Sequence, residues 1–208
     1  MSFQERMIVK NPVFSLGLGI GPVLALSYRF DTAWVTGVLS LLLILLGKGS
    51  VRLVKDAFPS AILWYVRITI LTFWIALMEI VFEAYLPGLR DSLGIYLPLL
   101  AVNTFILEAI VFGEQGDQNE WYGSLLLGLA YLGTIAFVGA FREIVGSGTL
   151  TFIMLPGWTL RYVILGKPLQ PIRFFILPAG GLILYGYLKA GFRLMVIRAN
   201  RGRIEEES

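Results

Sequence analysis

Ser92-Leu93-Gly94-Ile95-Tyr96-Leu97-Pro98-Leu99-Leu100-Ala101-Val102-Asn103 decides the fold of this chain once it is set beside Leu18-Gly19-Ile20-Gly21-Pro22. Both stretches carry Leu-Gly-Ile followed by a proline, inside otherwise apolar sequence. A proline within a helix removes one backbone hydrogen bond and crowds the preceding turn. In lipid the freed carbonyls need other partners. The two stretches stand in the first and the fourth of six apolar segments, so each opens a set of three. Broken helices at matching positions of two halves mark an inverted repeat with a functional site near the bilayer midplane. Two unrelated proline kinks would give a similar pattern, but they would not explain why the Leu-Gly-Ile prefix recurs.

Working outward, the apolar segments run over about Pro12–Ser27, Ala33–Leu46, Ile62–Ala84, Leu93–Phe112, Tyr122–Ile144 and Phe174–Val196. Six crossings of roughly 20 residues each account for nearly the whole length. The expected fold is therefore an all-α integral membrane domain over 1–208. It has six transmembrane helices in a 3+3 inverted repeat, with halves at about 12–84 and 93–196 and with helices 1 and 4 broken. Composition agrees: 57% of the 208 residues are hydrophobic and 15% are charged, with a mean hydropathy of +0.76, whereas a soluble domain carries about 25% charge. The linker from Val145 to Arg173 holds Pro156, Gly157, Trp158, Pro168 and Pro171. It reads as an interfacial excursion with Trp158 and Tyr162 at headgroup depth.

Cysteine and histidine are both absent. That excludes disulfides, thiolate-held metals and clusters, imidazole ligation of haem or zinc, and a histidine proton relay. The net charge of +3 reflects basic residues gathered at segment ends, not a nucleic-acid surface. With the N-terminus cytoplasmic, the inside receives Arg6, Lys10, Lys48, Arg52, Lys55, Lys189, Arg193, Arg198, Arg201 and Arg203. The outside receives Arg29, Arg90, Arg142, Arg161, Lys167 and Arg173. Ten against six places both termini in the cytoplasm. The first ten residues lack a small-residue cleavage site, so no removable signal peptide is expected.

Four stretches resemble the D/E-type membrane subunits of the Rnf and Nqr ion-translocating electron-transfer complexes, and are most similar to the Rnf E and Nqr D subunits. They are Asn11-Pro12 with Leu18-Gly19-Ile20-Gly21-Pro22-Val23-Leu24-Ala25, then Ser92 to Asn103, then Arg142-Glu143-Ile144-Val145-Gly146-Ser147-Gly148-Thr149-Leu150, then Leu177-Pro178-Ala179-Gly180. The resemblance implies a six-helix inverted-repeat subunit in a bacterial or archaeal cytoplasmic membrane. It further implies a homologous sister subunit of opposite topology (Rnf A-like), flavin and iron–sulfur partner subunits, and Na+ or H+ as the translocated ion. It makes the chain a non-catalytic subunit of a ferredoxin- or NADH-linked translocase. The family holds a 2Fe–2S cluster with one cysteine in each broken helix and two from the sister subunit. Here those two positions are Gly21 and Thr104. Glycine offers no ligand and a hydroxyl is a hard, poor one for iron–sulfur chemistry, so no cofactor is expected from this chain itself.

Carboxylates in apolar segments are costly and therefore functional candidates. Glu79 and Glu83 lie four apart on one helix face, and Glu108 lies one turn after Thr104. With Asn103 they are the candidates for an ion pathway. Interfacial placement of Glu83 and ion pairing of Glu108 are the structural alternatives, and Asn103 could equally satisfy freed backbone groups. Arg142-Glu143 reads as an ion pair closing helix 5, and Ser147-Gly148-Thr149 as a glycine turn. Gly123, Gly128, Gly133 and Gly139 permit close helix approach, for which a sister subunit is the expected use. Two other functions fit the sequence: a redox-independent ion channel or transporter on the same fold, and a purely structural paralogue.

Overall fold

A computed structural model describes residues 17–112, 120–155, 158–163 and 172–206. In chain order it has α1 (Ile20–Leu26), α2 (Phe30–Val54), α3 (Leu63–Tyr85), α4 (Pro87–Leu93), α5 (Tyr96–Leu99), α6 (Thr104–Leu107), α7 (Glu120–Ser147) and α8 (Pro178–Glu206), with a hairpin β1 (Thr149–Leu155) and β2 (Trp158–Val163) between α7 and α8. Among the described residues, α2 with its 3-10 extension to Ala57, α3 and α7 are each long and apolar enough to cross a bilayer. The bent pair Pro87–Leu93 and Tyr96–Val111 makes up to a fourth crossing. Expected helices 2, 3 and 5 therefore stand where the apolar runs put them. The first part of helix 1, from Pro12 to Leu16, lies outside the described residues.

The centre of the fold is the α2–α7 pair. These helices approach closely because glycines face the contact. A Cβ on Gly37 would meet the Leu132 backbone at 3.0 Å, and one on Gly139 would lie 2.5 Å from the Ala33 Cβ. Gly128 sits against Leu41 in the same seam. Two of the four small residues expected to serve a sister subunit thus pack within the chain, while Gly123 and Gly133 face open space. The buried hydroxyls of α2 are satisfied locally. Thr36 donates to the Thr32 carbonyl at 2.7 Å and Ser40 to that of Thr36 at 2.8 Å, so they add no unpaired polar group to an apolar helix. The α3 helix is different: only 11% of its apolar window is buried, against 56% for α2 and 50% for α7. Its face is left to lipid or to another subunit.

The break in helix 4 is present, but glycine makes it more than proline does, and glycine likewise stands at the start of the described part of helix 1. Gly17 and Gly19 adopt φ +72° and +70°, and Gly19 caps α1. Gly94 adopts φ +50° and sits at the 64° bend between α4 and α5. Only glycine enters that region at no steric cost. Pro22 and Pro98 are each the third residue of the helix that follows. There the N–H is one of the orphan donors in any case, so the ring costs no hydrogen bond. Helix 4 also has a second break, which neither glycine nor proline announces. Asn103 is extended, with φ −65° and ψ 116°, and separates α5 and its 3-10 continuation (Leu100–Val102) from α6 and its π-turn (Glu108–Phe112). Asn103 caps α6 by accepting from Phe105 N–H at 3.1 Å.

The end of α7 corrects one expectation and the stretch after it adds structure to another. The helix does not close at Arg142-Glu143; it runs to Ser147 and ends at Gly148, whose φ is +71° and whose N–H bonds to the Ile144 carbonyl at 2.9 Å. This is the expected glycine turn, in left-handed form. The linker beyond it is an antiparallel hairpin with Thr149 opposite Val163 and Thr151 opposite Arg161, and a bulge near Ile153–Leu155. Tyr162 is well exposed on it.

Candidate functional site

The beginnings of α1 and α6 meet. Gly19 donates its N–H to the Thr104 hydroxyl at 3.0 Å across 85 residues of sequence. Tyr131 of α7 donates its hydroxyl to the Gly19 carbonyl at 3.4 Å, and its ring stacks on Phe105 at 4.1 Å with 10° between the planes. Gly19 fits only because it lacks a side chain: a Cβ would lie 2.6 Å from the Tyr131 ring and 3.0 Å from Phe105. Beside this knot is a cavity of about 270 Å³ whose lining includes Gly21, Pro22, Tyr96, Val102, Asn103 and Thr104. Asn103 is 3% exposed and its Nδ2 has no partner of hydrogen-bonding geometry among the described residues, with the Tyr131 hydroxyl alongside.

The structure therefore brings Gly21, Asn103 and Thr104 to one cavity. Their separation in sequence hides this, and only the repeated broken-helix pattern hints at it. The carboxylates stand apart from the cavity. Glu79 pairs with Arg90 of α4 at 3.8 Å, while Glu83 and Glu108 are exposed. A thiolate-held iron–sulfur cluster does not fit the donors present. Gly21 brings no side chain, although the space at its Cβ is open to 4 Å. The Thr104 hydroxyl already accepts from Gly19, and the chain has no cysteine.

Around this knot the half-helices are anchored by charged side chains. Arg142 is fully buried and reaches away from Glu143. Its Nε donates to the Phe175 carbonyl at 2.9 Å. One terminal nitrogen donates to the Leu24 carbonyl at 2.8 Å and to Ser27 Oγ at 2.7 Å, and the other to the Ile176 and Leu177 carbonyls at 2.9 and 3.2 Å. A cation thus sits at the C-terminal ends of α1 and of the 3-10 turn Arg173–Ile176 that precedes α8, where orphan carbonyls favour it. Glu143 works in the opposite sense. Its Oε2 accepts from Phe30 N–H at 2.7 Å at the N-terminus of α2, and its Oε1 accepts from the Thr149 and Thr151 hydroxyls. The expected Arg142–Glu143 ion pair is thus replaced by two separate clamps. Arg67 of α3 adds a third by donating to the Val111 carbonyl at the end of the π-turn. Its partner is invisible in sequence, since it lies 44 residues away.

The model of the Rnf-Nqr subunit, a membrane protein family, matches residues 1–189. The chain is 30% identical over 190 residues to the E subunit of the proton-translocating ferredoxin:NAD(+) oxidoreductase complex of Clostridium ljungdahlii, covering 90% of this chain and 85% of that one. It is 25% identical over 195 residues to the E subunit of the Na(+)-translocating ferredoxin:NAD(+) oxidoreductase complex of Acetobacterium woodii, covering 90% and 94%. It is 31% identical over 186 residues to the E subunit of the ion-translocating oxidoreductase complex of a Shewanella strain, covering 86% and 80%. With this extent of match, the chain belongs to the Rnf-Nqr family of membrane subunits.

Proposed function

We infer that this chain is a membrane subunit of an ion-translocating electron-transport complex of the Rnf/Nqr type. The observation that carries the reading is the family match over residues 1–189, and similarity to the E subunits of such complexes supports it. In this reading the chain crosses the cytoplasmic membrane six times as a 3+3 inverted repeat, with both termini cytoplasmic. A homologous sister subunit of opposite topology covers the half-helix junction, and flavin and iron–sulfur subunits complete the complex. The bare apolar face of α3 suits a contact with another subunit. This chain contributes no cluster ligand, so electrons pass through cofactors on its partners. Its own part is to carry Na+ or H+ or to hold the scaffold, with Glu79, Glu83, Glu108 and Asn103 as the groups that an ion path would use.

The test is purification of the complex through this chain, followed by iron analysis and electron paramagnetic resonance. Co-purifying flavin and iron–sulfur subunits are expected. Any 2Fe–2S signal should survive Thr104→Val. A signal lost in that variant overturns the cluster-free assignment. Ion flux through liposomes holding this chain alone, with no redox subunits recovered beside it, overturns the complex assignment.

A further inference from the structure

A second cavity, of about 370 Å³, lies under the hairpin, away from the half-helix junction. Its lining includes Tyr28, Arg29, Glu143, Thr149, Thr151 and Arg161. Its size is within the range of small-ligand sites. Directly opposed residues of an antiparallel pair share a face. Arg161, opposite Thr151, therefore stands on the side of the hairpin that meets Glu143.

The free valences of this cavity are donors. Glu143 sits at its floor, 2% exposed, but its carboxylate is already held by the Phe30 N–H and by two threonine hydroxyls. An incoming cation would have to displace those donors. The groups with donors to spare are cationic or neutral. Arg161 is exposed and makes no ion pair or hydrogen bond among the described residues. Arg29 pairs with buried Asp31 through one nitrogen at 2.5 Å and stays 40% exposed. The Tyr28 hydroxyl also has no partner among the described residues. Two guanidinium groups and a phenol over a pocket at the ends of membrane helices suit a tetrahedral oxyanion, which arginine binds with paired N–H groups.

We propose that the cavity under the hairpin is a phosphate site, taking the phosphodiester of a lipid headgroup or free phosphate, with Arg161 and Arg29 as its charge partners and the Tyr28 hydroxyl as a further donor. The site does not depend on which complex the chain serves.

The experiment uses the full chain, purified and delipidated in mild detergent, with native mass spectrometry and titration as readouts. The probes are a short-chain phosphatidylglycerol, inorganic phosphate, and a diacylglycerol that lacks phosphate. The variants are Arg161→Gln, Tyr28→Phe, and Arg52→Gln at the opposite end of α2 as control. Binding of a phosphate probe is expected to weaken about tenfold in Arg161→Gln, less in Tyr28→Phe, and to stay unchanged in Arg52→Gln. Because Arg161 is exposed, an unaltered elution volume is expected for its variant. Phosphatidylglycerol binding without phosphate binding identifies a lipid headgroup, and the reverse identifies the free anion. Equal binding of both phosphate probes by Arg161→Gln and by the unsubstituted chain overturns the site. So does retention of diacylglycerol with the same dependence on Arg161.

Discussion

Arg142 offers the sharpest test of how this fold is held. Its guanidinium makes five hydrogen bonds, to three carbonyls around the entry of α8, to the Leu24 carbonyl and to Ser27 Oγ. In Arg142→Lys the ammonium keeps the charge but has three donors, so at least two bonds are lost. Hydrogen bonds to a charged group are worth about 1.5–3 kcal/mol each, and the loss should be roughly 3 kcal/mol. Arg142→Met leaves all five acceptors without their donor, and should cost about 3–5 kcal/mol or prevent folding. The packing makes a second, independent prediction. A Cβ added at Gly181 would lie 2.8 Å from the guanidinium carbon, so Gly181→Ala must push the fork off its acceptors. A single-chain lysine can step aside. The two substitutions should therefore couple by about 1 kcal/mol or more, the Gly181→Ala penalty being smaller in the lysine background. The assay is unfolding of the full chain in mixed micelles, followed by tryptophan fluorescence. Arg142→Lys within about 0.5 kcal/mol of the parent would refute the argument, as would strict additivity with Gly181→Ala.

Other outcomes follow from the same contacts. Thr104→Val removes the acceptor of the Gly19 N–H and should cost about 1–2 kcal/mol in the same unfolding assay, whereas Thr104→Ser should be nearly neutral. Gly139→Ala should destabilise more than Gly128→Ala, since the first meets the Ala33 Cβ and backbone atoms while the second meets the flexible end of Leu41. Gly123→Ala and Gly133→Ala meet nothing within 4 Å and should each gain a few tenths to about 1 kcal/mol of helix propensity in the isolated chain. If the same two variants lose partner subunits on purification, those positions face the complex. Glu143→Ala removes the acceptor at the start of α2 and strands the Thr151 hydroxyl, while Thr149 keeps Ser147. It should cost about 2 kcal/mol or more and expose the hairpin to proteolysis.

The three long apolar helices are legible in the sequence. Expected segments at Ala33–Leu46, Ile62–Ala84 and Tyr122–Ile144 lie within or against helices at Phe30–Val54, Leu63–Tyr85 and Glu120–Ser147, because a bilayer demands long apolar helices. The break in helix 4 is only half visible. Gly94 announces itself by its residue type, but the break at Asn103 arises from an ordinary residue in extended conformation. The hairpin within the expected interfacial excursion is unanticipated, although its signal is present. Thr149 to Leu155 is rich in β-branched and large apolar residues, and Pro156-Gly157 is a turn signal. The prolines and polar residues around it make that stretch look like a loop. For the site, the Leu-Gly-Ile prefix points to helices 1 and 4 as meeting elements, and the resemblance to the Rnf and Nqr subunits singles out Gly21 and Thr104 within them. Nothing local distinguishes Tyr131 from the other tyrosines, so its place at the junction has no sequence signal. Arg142 and Glu143 are adjacent and opposite in charge, which suggests a pair. Only the tertiary fold supplies the helix ends that each prefers.

The Arg142 contacts also set an order of events during synthesis. Leu24 and Ser27 have already been made when α7 enters the membrane, but Phe175, Ile176 and Leu177 lie more than 30 residues beyond Arg142. Until the last helix has been made and has docked, the guanidinium has only two of its five acceptors, and the three carbonyls before α8 are missing. The chain is thus committed to its final shape late. A product ending before Phe174 would keep Arg142 buried against Leu24 and Ser27 with three of its five acceptors absent.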